Sequence, residues 1–353
     1  MRSPALQVIA GPGARAHIER NGLRQEDIHV MAGASGGPKW LCLAALDEYL
    51  FGEFFAHRQQ PLDLLGSSSG AWRFACFAQC DPVAASRRFR DAYHYLRFPD
   101  GAGRDEITRI SRSMLDAAFP EPEQEQEVID NEVIRLNLIV NRARGLAAGR
   151  HPWTQAAGMG LAALANAFSR RALSGFFRRV LFHTPRGRPP FYDLNDLPTG
   201  QVPLTTDNLR DALMASGSIP LVLHPVEEIA GAGTGPFYDG GITDYHFDIP
   251  FSKQGLVLYP HFYPHITPGW FDKKLPWRHP HARHYDNVVM LCPSADWVAS
   301  LPHGRIPDRR DFQRLSDGER ERVWGEAIGR SRELVDDFRR FLDGDLSFLE
   351  SGK

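Results

Sequence analysis

The sequence predicts an α/β fold, because buried strands alternate with helices along the chain. Three apolar runs end at a glycine-rich or polar turn and are typical of buried parallel strands, and a fourth run resembles them; they span residues 28–32, 62–65, 288–292 and 256–259. Residues 40–55, between the first two runs, repeat leucine and phenylalanine at helical spacing. A strand, a glycine turn, a helix and a strand form a βαβ unit, so we expect a mainly parallel sheet in a three-layer α/β/α arrangement.

Length and composition favour a single domain over residues 1–353, with 42% apolar residues. A net charge of −2 disfavours a nucleic-acid-binding protein. The four cysteines have no CxxC spacing and three lie in apolar runs, so we expect reduced thiols and a cytoplasmic protein. No run of 18 apolar residues occurs, and the apolar stretch at residues 5–10 is too short for a secretory signal.

The middle of the chain has a different character, and residues 120–206 are predicted to form a helical, arginine-rich insertion or cap. An acidic, proline-bearing loop is predicted at residues 120–127, and residues 133–192 contain ten arginines and no acidic residue. The core resumes with a short helix at residues 209–215. Residues 305–353 mix charges of both signs and predict a charged helical tail that is exposed to solvent.

The pentapeptide Gly66-Ser67-Ser68-Ser69-Gly70 has the form G-x-S-x-G. It follows a predicted strand and precedes an apolar helix at residues 71–79, which is the setting of a nucleophile elbow. The two glycines permit a tight turn that presents Ser68 at the head of the helix, where unpaired N–H groups favour negative charge. The alternative is a serine- and glycine-rich turn that only caps a helix.

A glycine-rich loop, Gly33-Ala34-Ser35-Gly36-Gly37-Pro38-Lys39, follows the first predicted strand. Small side chains leave its backbone N–H groups free to bind an anion, either a phosphate or the oxyanion of a tetrahedral intermediate. Pro38 separates Gly37 from Lys39, so the loop is not a Walker A motif, and it does not match the dinucleotide pattern G-x-G-x-x-G.

Asp239 lies in the sequence Phe237-Tyr238-Asp239-Gly240-Gly241, after the stretch Ala215-Ser216-Gly217-Ser218-Ile219-Pro220. An aspartate between aromatic residues and two glycines is typical of a strand end on a tight turn, where a carboxylate is aimed at a neighbour. An ordinary Asp-Gly hairpin turn has the same pattern and remains the alternative.

Together, and in this order, the glycine-rich loop, the pentapeptide and the Asp-Gly-Gly turn resemble the patatin-like phospholipase family over roughly residues 28–250. The resemblance implies a patatin-like hydrolase in which Ser68 is the nucleophile and Asp239 is the general base of a Ser-Asp dyad. It also implies an oxyanion hole built from backbone N–H groups of Gly36 and Gly37, with Ser69 as a further donor. Supporting positions in the matching motifs are Lys39, Gly66, Gly70, Gly240 and Gly241.

The sequence departs from the family pattern at several positions. The family loop begins Asp-Gly-Gly-Gly, whereas this chain has Ala34-Ser35-Gly36-Gly37, and Trp40 stands where the family has glycine. After the Asp-Gly-Gly turn the family often continues Asn-x-Pro, whereas this chain has Thr243-Asp244-Tyr245-His246. The loss of one loop glycine leaves open which amides form the oxyanion hole.

The predicted activity is hydrolysis of a lipid or another acyl ester through an acyl-enzyme intermediate, without cofactor or metal. One alternative is an ordinary α/β-hydrolase with a Ser-Asp-His triad, for which His261, His284 and His303 lie suitably downstream. A second alternative is a lipid- or acyl-binding protein without turnover, which the altered loop favours.

Histidines and prolines crowd one region of the chain. A metal site is conceivable there, but the histidines have no HExxH or Cys/His spacing and are interpreted as loop residues. They are His261, His265, His279, His281 and His284.

The arginine-rich segment predicts a membrane-facing surface. Residues 153–182 are predicted to form an amphipathic element that lies in a membrane interface. We therefore expect the protein to be peripheral at an anionic membrane. Its aromatic residues are Phe168, Phe176, Phe177 and Phe182, and its arginines are Arg170, Arg171, Arg178 and Arg179. The alternative is a solvated cap that pairs with the acidic residues between Glu121 and Glu127.

Overall fold

The computed structural model describes residues 3–252 and 254–351, and in these ranges the chain forms an α/β fold around one mixed, mostly parallel sheet. The strands of the described ranges are β1 (Leu6–Ala10), β2 (Ile28–Gly33), β3 (Leu62–Ser67), β4 (Ile134–Ala143), β5 (Phe177–His183), β6 (Thr199–Pro203), β7 (Val226–Ile229), β8 (Gly233–Asp239), β9 (Leu256–Pro260), β10 (Val288–Pro293) and β11 (Leu349–Ser351).

Helices connect most of these strands. Within the same ranges they are α1 (Pro12–Asn21), α2 (Ala44–Tyr49), α3 (Ser69–Phe77), α4 (Pro82–His94), α5 (Arg104–Ala118), α6 (Glu123–Asp130), α7 (Pro152–Phe168), α8 (Thr206–Gly217), α9 (Ala295–Ala299), α10 (Asp311–Arg314), α11 (Asp317–Arg330) and α12 (Arg332–Leu342). Short 3-10 segments and one π segment lie between them.

The order of strands across the sheet is β11-β1-β10-β9-β2-β3-β4-β5-β6, and the β7–β8 hairpin joins the sheet through β4. The four predicted strands correspond to β2, β3, β9 and β10, which are neighbours and pair in parallel. Every residue of β3, β9 and β10 is buried, which explains why these strands are mainly apolar, although β3 also buries Asp63. The predicted α/β class and mainly parallel sheet are confirmed, and the arrangement is consistent with three layers.

The helix predicted over residues 40–55 is three joined segments. A 3-10 helix over Gly37–Leu43 leads into α2, and a π segment over Leu50–Phe54 follows it. Pro38 lies in the first turn of the 3-10 helix, where its missing N–H costs nothing because that donor has no partner inside a helix.

The prediction of a helical cap over residues 120–206 is wrong, because this segment supplies β4, β5 and β6 to the sheet. The predicted loop at residues 120–127 is also wrong in part, since α6 begins at Glu123. The strands escaped the sequence pattern because polar residues interrupt them. Asn137, Asn141 and Arg179 lie inside these strands, and all three are buried.

The single amphipathic element predicted over residues 153–182 is wrong as well. Helix α7 ends at Phe168, a 3-10 helix spans Arg170–Gly175, and β5 begins at Phe177. Arg179 is buried and forms ion pairs with Asp244 and Asp196. The aromatic residues predicted for this element do not share one surface, since Phe168 is exposed whereas Phe177 and Phe182 are buried.

The C-terminal segment contains the predicted helices, α11 and α12, but they are not fully solvated. Trp324 and Phe338 are completely buried, and β11 pairs in parallel with β1. The helix predicted at residues 209–215 lies within α8. No helix in the described part of the chain has the length and apolar character that crossing a membrane requires.

Candidate active site

Ser68 and Asp239 lie side by side because two strands end along the same edge of β4. Ser67, the last residue of β3, pairs with Ile139, and Asp239, the last residue of β8, pairs with Val140. Strand β3 runs parallel to β4 and β8 runs antiparallel to it, so their carboxyl ends meet at adjacent positions. The sheet register thereby joins two segments that are 171 residues apart.

Ser68 occupies the turn between β3 and α3, in the strand-turn-helix setting that the pentapeptide predicts. Its backbone has φ 53° and ψ −126°, a sparsely populated conformation that is typical of a nucleophile elbow. The flanking glycines permit close packing, because a Cβ atom on Gly70 would lie 2.0 Å from the carbonyl oxygen of Gly33. A Cβ atom on Gly66 would lie 2.5 Å from the amide nitrogen of Ala71.

The Ser68 hydroxyl donates a hydrogen bond of 2.8 Å to Oδ2 of Asp239. The other carboxylate oxygen, Oδ1, accepts a bond of 2.6 Å from the Gly241 N–H group. Burial raises the pKa of Asp239 to about 6, and these two hydrogen bonds and the positive charge of Lys273 only partly oppose it. A carboxylate with a raised pKa is a stronger base that is still mostly ionised at neutral pH.

A buried asparagine on β4 fixes the backbone of the Asp239 turn. The Asn141 amide donates hydrogen bonds of 3.0 Å to the carbonyl oxygens of Asp239 and Gly240, and its own oxygen accepts 2.9 Å from the Thr243 hydroxyl. A Cβ atom on Gly240 would lie 2.2 Å from the carbonyl oxygen of Ile139, so only glycine fits there. The turn is therefore held in place independently of the Ser68 contact.

The stretch Ala215–Pro220 also positions the dyad. The Ser216 hydroxyl accepts 2.9 Å from the Ser68 N–H group and donates 2.8 Å to the carbonyl oxygen of Ile139. The carbonyl oxygen of Ser218 accepts 2.9 Å from the Asp239 N–H group. One short segment thus contacts the backbones of both dyad residues.

The amides predicted for the oxyanion hole lie at the same cavity as the dyad. Gly36, Gly37 and Ser69 line it together with Ser68. In the described part of the chain, no group accepts a hydrogen bond from the N–H groups of these three residues. Gly37 has φ +57°, a conformation that favours glycine, and it begins the 3-10 helix. Among the described residues, Gly36, Gly37 and Ser69 therefore have backbone donors without partners at the cavity that Ser68 also lines.

The residues that depart from the family loop make structural contacts. The Ser35 hydroxyl lies 2.9 Å from the Ser67 hydroxyl, and its N–H group donates to the carbonyl oxygen of Tyr245. Trp40 is fully buried and stacks on Phe89 with ring centroids 5.2 Å apart. Ala34 is also buried. These contacts anchor the loop and leave the Gly36 and Gly37 amides free.

The cavity has a volume of about 740 Å³, which suits a small organic ligand. One part of its lining is apolar and comes from α3, α4, α5 and α8 with the segments that follow them. The apolar lining includes Trp72, Phe89, Leu96, Ile107, Met114, Met214 and Leu223.

The other part of the lining is charged and of mixed sign. It includes Lys39, Lys273, Arg309, Arg310 and Arg320 together with Asp100, Asp308 and Asp317. Lys39 forms an ion pair of 2.8 Å with Asp308, and Arg309 lies beside it in the lining. The Lys273 ammonium lies 3.7 Å from the centre of the Tyr245 ring. Although Lys273 reaches the water of the cavity, the surrounding protein and the charges of Lys39 and Arg309 lower its pKa to about 7. Only Lys39 was expected here from sequence, since the other basic residues belong to no motif.

The histidines proposed for a catalytic triad have other partners. Nδ1 of His261 lies 2.6 Å from the carbonyl oxygen of Tyr263, and burial lowers the pKa of this histidine to about 3. His284 bonds to Asp248 at 2.8 Å, and Nε2 of His303 lies 3.4 Å from Glu319. No histidine of residues 3–252 and 254–351 lines the cavity.

Two of the crowded histidines share one carboxylate. Ring nitrogens of His281 and His284 and a carboxylate oxygen of Asp248 lie within 4.8 Å of one another, a spacing that a metal ion accepts. Nδ1 of His281 and Nδ1 of His284 lie 2.7 and 2.8 Å from the Asp248 carboxylate oxygens. The backbone N–H group of His281 donates a further hydrogen bond of 3.0 Å to Asp248. The Asp248 carboxylate therefore links both histidines within the loop. His261, His265 and His279 are not part of the group.

The site combines a hydrogen-bonded serine and aspartate, backbone amides without partners among the described residues, and a cavity whose lining is apolar in one part and charged in the other. Sequence reasoning found the serine, the aspartate and the loop, but not Asn141, Ser216 as an acceptor for the Ser68 N–H group, or Lys273. Comparisons of the chain with models of protein families, with curated proteins and with solved structures gave no match.

Proposed function

We propose that the protein is a serine carboxylic-ester hydrolase that acts on a lipid or another acyl ester through a Ser68–Asp239 dyad. The observation that carries the proposal is the 2.8 Å hydrogen bond from Ser68 to Asp239 at a cavity that also contains free amides. A nucleophile bonded to a base, beside unpaired donors, is the arrangement that acyl transfer requires.

In the proposed mechanism, Asp239 accepts the proton of Ser68 while the serine oxygen attacks the ester carbonyl. Backbone amides of Gly36, Gly37 and Ser69 stabilise the oxyanion. Asp239 then returns the proton to the leaving alcohol, and water releases the acid from the acyl-enzyme with the same base. A carboxylate is a weak base toward a hydroxyl, so the amides are expected to contribute much of the rate, about 10²–10³ for each donor.

The shape of the cavity supports an acyl substrate. The apolar side chains of its lining, which include Trp72 and Leu223, suit a hydrocarbon chain, since burial of apolar surface supplies most of the affinity for such a chain. The charged part of the lining around Lys273 suits a polar alcohol. An ester with a long acyl chain is therefore the proposed substrate class.

Membership in the patatin-like phospholipase family is part of the same proposal. It is supported by the order of the three motifs and by the replacement of a histidine base by Asp239. The free cysteines, of which Cys80 is exposed, further support a reducing compartment such as the cytoplasm.

The dyad is tested by hydrolysis of a chromogenic acyl ester with purified variants. Asp239→Asn keeps the size of the side chain but removes the base, and we expect turnover to fall by several orders of magnitude while the thermal unfolding midpoint is retained. Single replacements of His261, His284 and His303 by alanine are the comparison, because each tests the triad alternative.

The proposal predicts that none of these histidine variants approaches the loss seen in Asp239→Asn. An equally large loss in a well-folded histidine variant supports a triad instead. Wild-type protein that binds a fatty acid but hydrolyses no ester of a lipid panel supports a binding protein without turnover.

A further inference from the structure

Helix α7 presents large apolar side chains to solvent. Trp153, Leu161, Leu164 and Phe168 are 79%, 46%, 63% and 91% exposed. Leu161, Leu164 and Phe168 follow Trp153 by 8, 11 and 15 residues, a spacing that puts all four side chains on one side of the helix. We name these four residues the α7 outer face.

The opposite side of α7 is buried but carries the polar residues. Gln155 donates a hydrogen bond to the Tyr238 hydroxyl, and Asn166 donates 2.6 Å to Asp272. Between them the buried positions are small or flexible, namely Gly158, Met159 and Ala162. A surface helix of a water-soluble protein has the reverse distribution, so the α7 outer face is built to meet an apolar environment.

Unpaired positive charge borders the same helix. Helix α7 itself has no charged residue, whereas Arg144 and Arg150 precede it and Arg171 follows it. All three arginines are exposed, and in the described part of the chain none has a carboxylate partner. By contrast, the neighbouring Arg170 and Arg179 form ion pairs with Asp244.

Two more exposed apolar residues adjoin this helix. Leu146, which is 50% exposed, lies in the 3-10 helix Gly145–Ala148 that packs on α7. Trp277 is 61% exposed, and its neighbour Arg278 donates a hydrogen bond to the carbonyl oxygen of Asn166. The exposed apolar surface is therefore wider than one helix.

The helix also contacts a wall of the cavity. Asn166 bonds to Asp272 in the 3-10 helix Trp270–Lys274, and that helix contributes Trp270 and Lys273 to the lining. Only one element, the 3-10 helix Trp270–Lys274, therefore separates α7 from the cavity that contains the dyad.

We propose that the α7 outer face docks the protein on the surface of a bilayer that contains anionic lipids. Tryptophan, leucine and phenylalanine enter the acyl boundary of a bilayer, and bordering arginines bind anionic head groups. A second copy of the chain fits less well. A two-fold interface would oppose the unpaired arginines, and residues 133–192 of the copy contain no acidic residue to neutralise them.

The test is sedimentation with phosphatidylcholine vesicles, with and without added phosphatidylglycerol, at low and high salt. Full-length Ser68→Ala protein is used, so that lipid hydrolysis cannot change the vesicles and the result does not depend on the proposed activity. We expect binding to the anionic vesicles that weakens with salt. The variant W153S/L164S/F168S should lower the partition coefficient by at least about tenfold.

The matched control is Y95S/L346S, which removes exposed apolar side chains that lie outside α7. It should bind vesicles as the parent does. R144Q/R150Q/R171Q should lose the preference for anionic vesicles. Equal binding by the W153S/L164S/F168S variant, or no binding of the parent at low salt, overturns the proposal. So does a dimer in sedimentation velocity that this triple variant dissociates, because the surface is then an interface between copies.

Discussion

The Ser68 hydroxyl and the Asp239 carboxylate have different surroundings, and the difference suits their proposed roles. Ser68 is held by its backbone, through Ser216 and a strained turn. Asp239 is held by Gly241 and by the asparagine beneath its turn, and burial raises its pKa to about 6. Burial destabilises the ionised carboxylate, which makes Asp239 a stronger base toward the Ser68 hydroxyl.

The pH dependence of hydrolysis follows from this pKa. The base works only when Asp239 is deprotonated, so kcat/KM should rise as pH increases through about 6 and then level off. Lys273 lowers the pKa of Asp239 by its charge, so Lys273→Met should move this rise to higher pH. Rate profiles on an uncharged ester measure both effects.

Lys274→Met is the control for that experiment, because Lys274 is exposed and does not line the cavity. Its profile should coincide with that of the wild type. A profile of Lys273→Met that is unmoved, or that moves to lower pH, would show that another group controls the acid limb.

At the scale of elements, the sequence predicts those whose patterns are regular. The strands β2, β3, β9 and β10 are mainly apolar, with only His29 and Asp63 as polar residues inside the predicted runs, and α3 and α8 follow or precede recognisable motifs. Strand β4 was missed because Asn137 and Asn141 interrupt its apolar pattern. Asn141 holds the turn of Asp239, so the residue that obscured the strand also positions the site.

Strand β5 was missed for a related reason, because Arg178 and Arg179 lie near its start and were assigned to an amphipathic element at a membrane interface. Arg179 donates to both oxygens of the fully buried Asp244, whose Oδ2 also lies 2.7 Å from the Thr243 hydroxyl oxygen. Thr243 in turn contacts Asn141. A chain of buried polar contacts therefore links this arginine to the Asp239 turn.

Arg179→Met tests this interpretation of the arginine-rich segment. Removal of Arg179 leaves the buried Asp244 carboxylate with only the longer, 3.3 Å contact to Arg170, so we expect the free energy of unfolding to fall by up to about 3–5 kcal/mol. Urea denaturation followed by tryptophan fluorescence measures the change. Arg188→Met is the control, because the Arg188–Asp193 pair is exposed and should contribute far less. Equal, small effects of the two substitutions would contradict a structural role for Arg179.

At the scale of the whole molecule, the cavity joins parts of the chain that no local pattern connects. The pentapeptide, the glycine-rich loop and the Asp-Gly-Gly turn were readable in order, because each has its own turn chemistry. The C-terminal segment is predicted to be solvated, yet it contributes Asp308 and Arg309 to the charged part of the cavity lining. Density of charge alone does not reveal which charges face a cavity, since that depends on how distant segments pack.

The arginine-rich segment, residues 133–192, likewise shows that the exposure of a charge cannot be predicted from local sequence. Counting arginines between residues 133 and 192 indicated a membrane surface, but the single helix is wrong. Of the four named arginines, Arg170 and Arg179 form ion pairs with Asp244, whereas Arg171 is exposed and has no carboxylate partner among the described residues. What the structure exposes instead is an apolar helix without charge, bordered by Arg144, Arg150 and Arg171. Only the packed structure separates buried arginines from unpaired ones.

The central claim, that Ser68 is an activated nucleophile, is tested most directly by covalent labelling with a fluorophosphonate, followed by intact mass and peptide mapping. We predict one label per wild-type chain, on Ser68, and none on Ser68→Ala. Ser69→Ala should still be labelled, because this change keeps the backbone amide and removes a buried hydroxyl without a hydrogen-bond partner in the described structure. A folded wild-type protein that takes no label, or Ser68→Ala protein that is labelled as fast as the wild type, would contradict the claim.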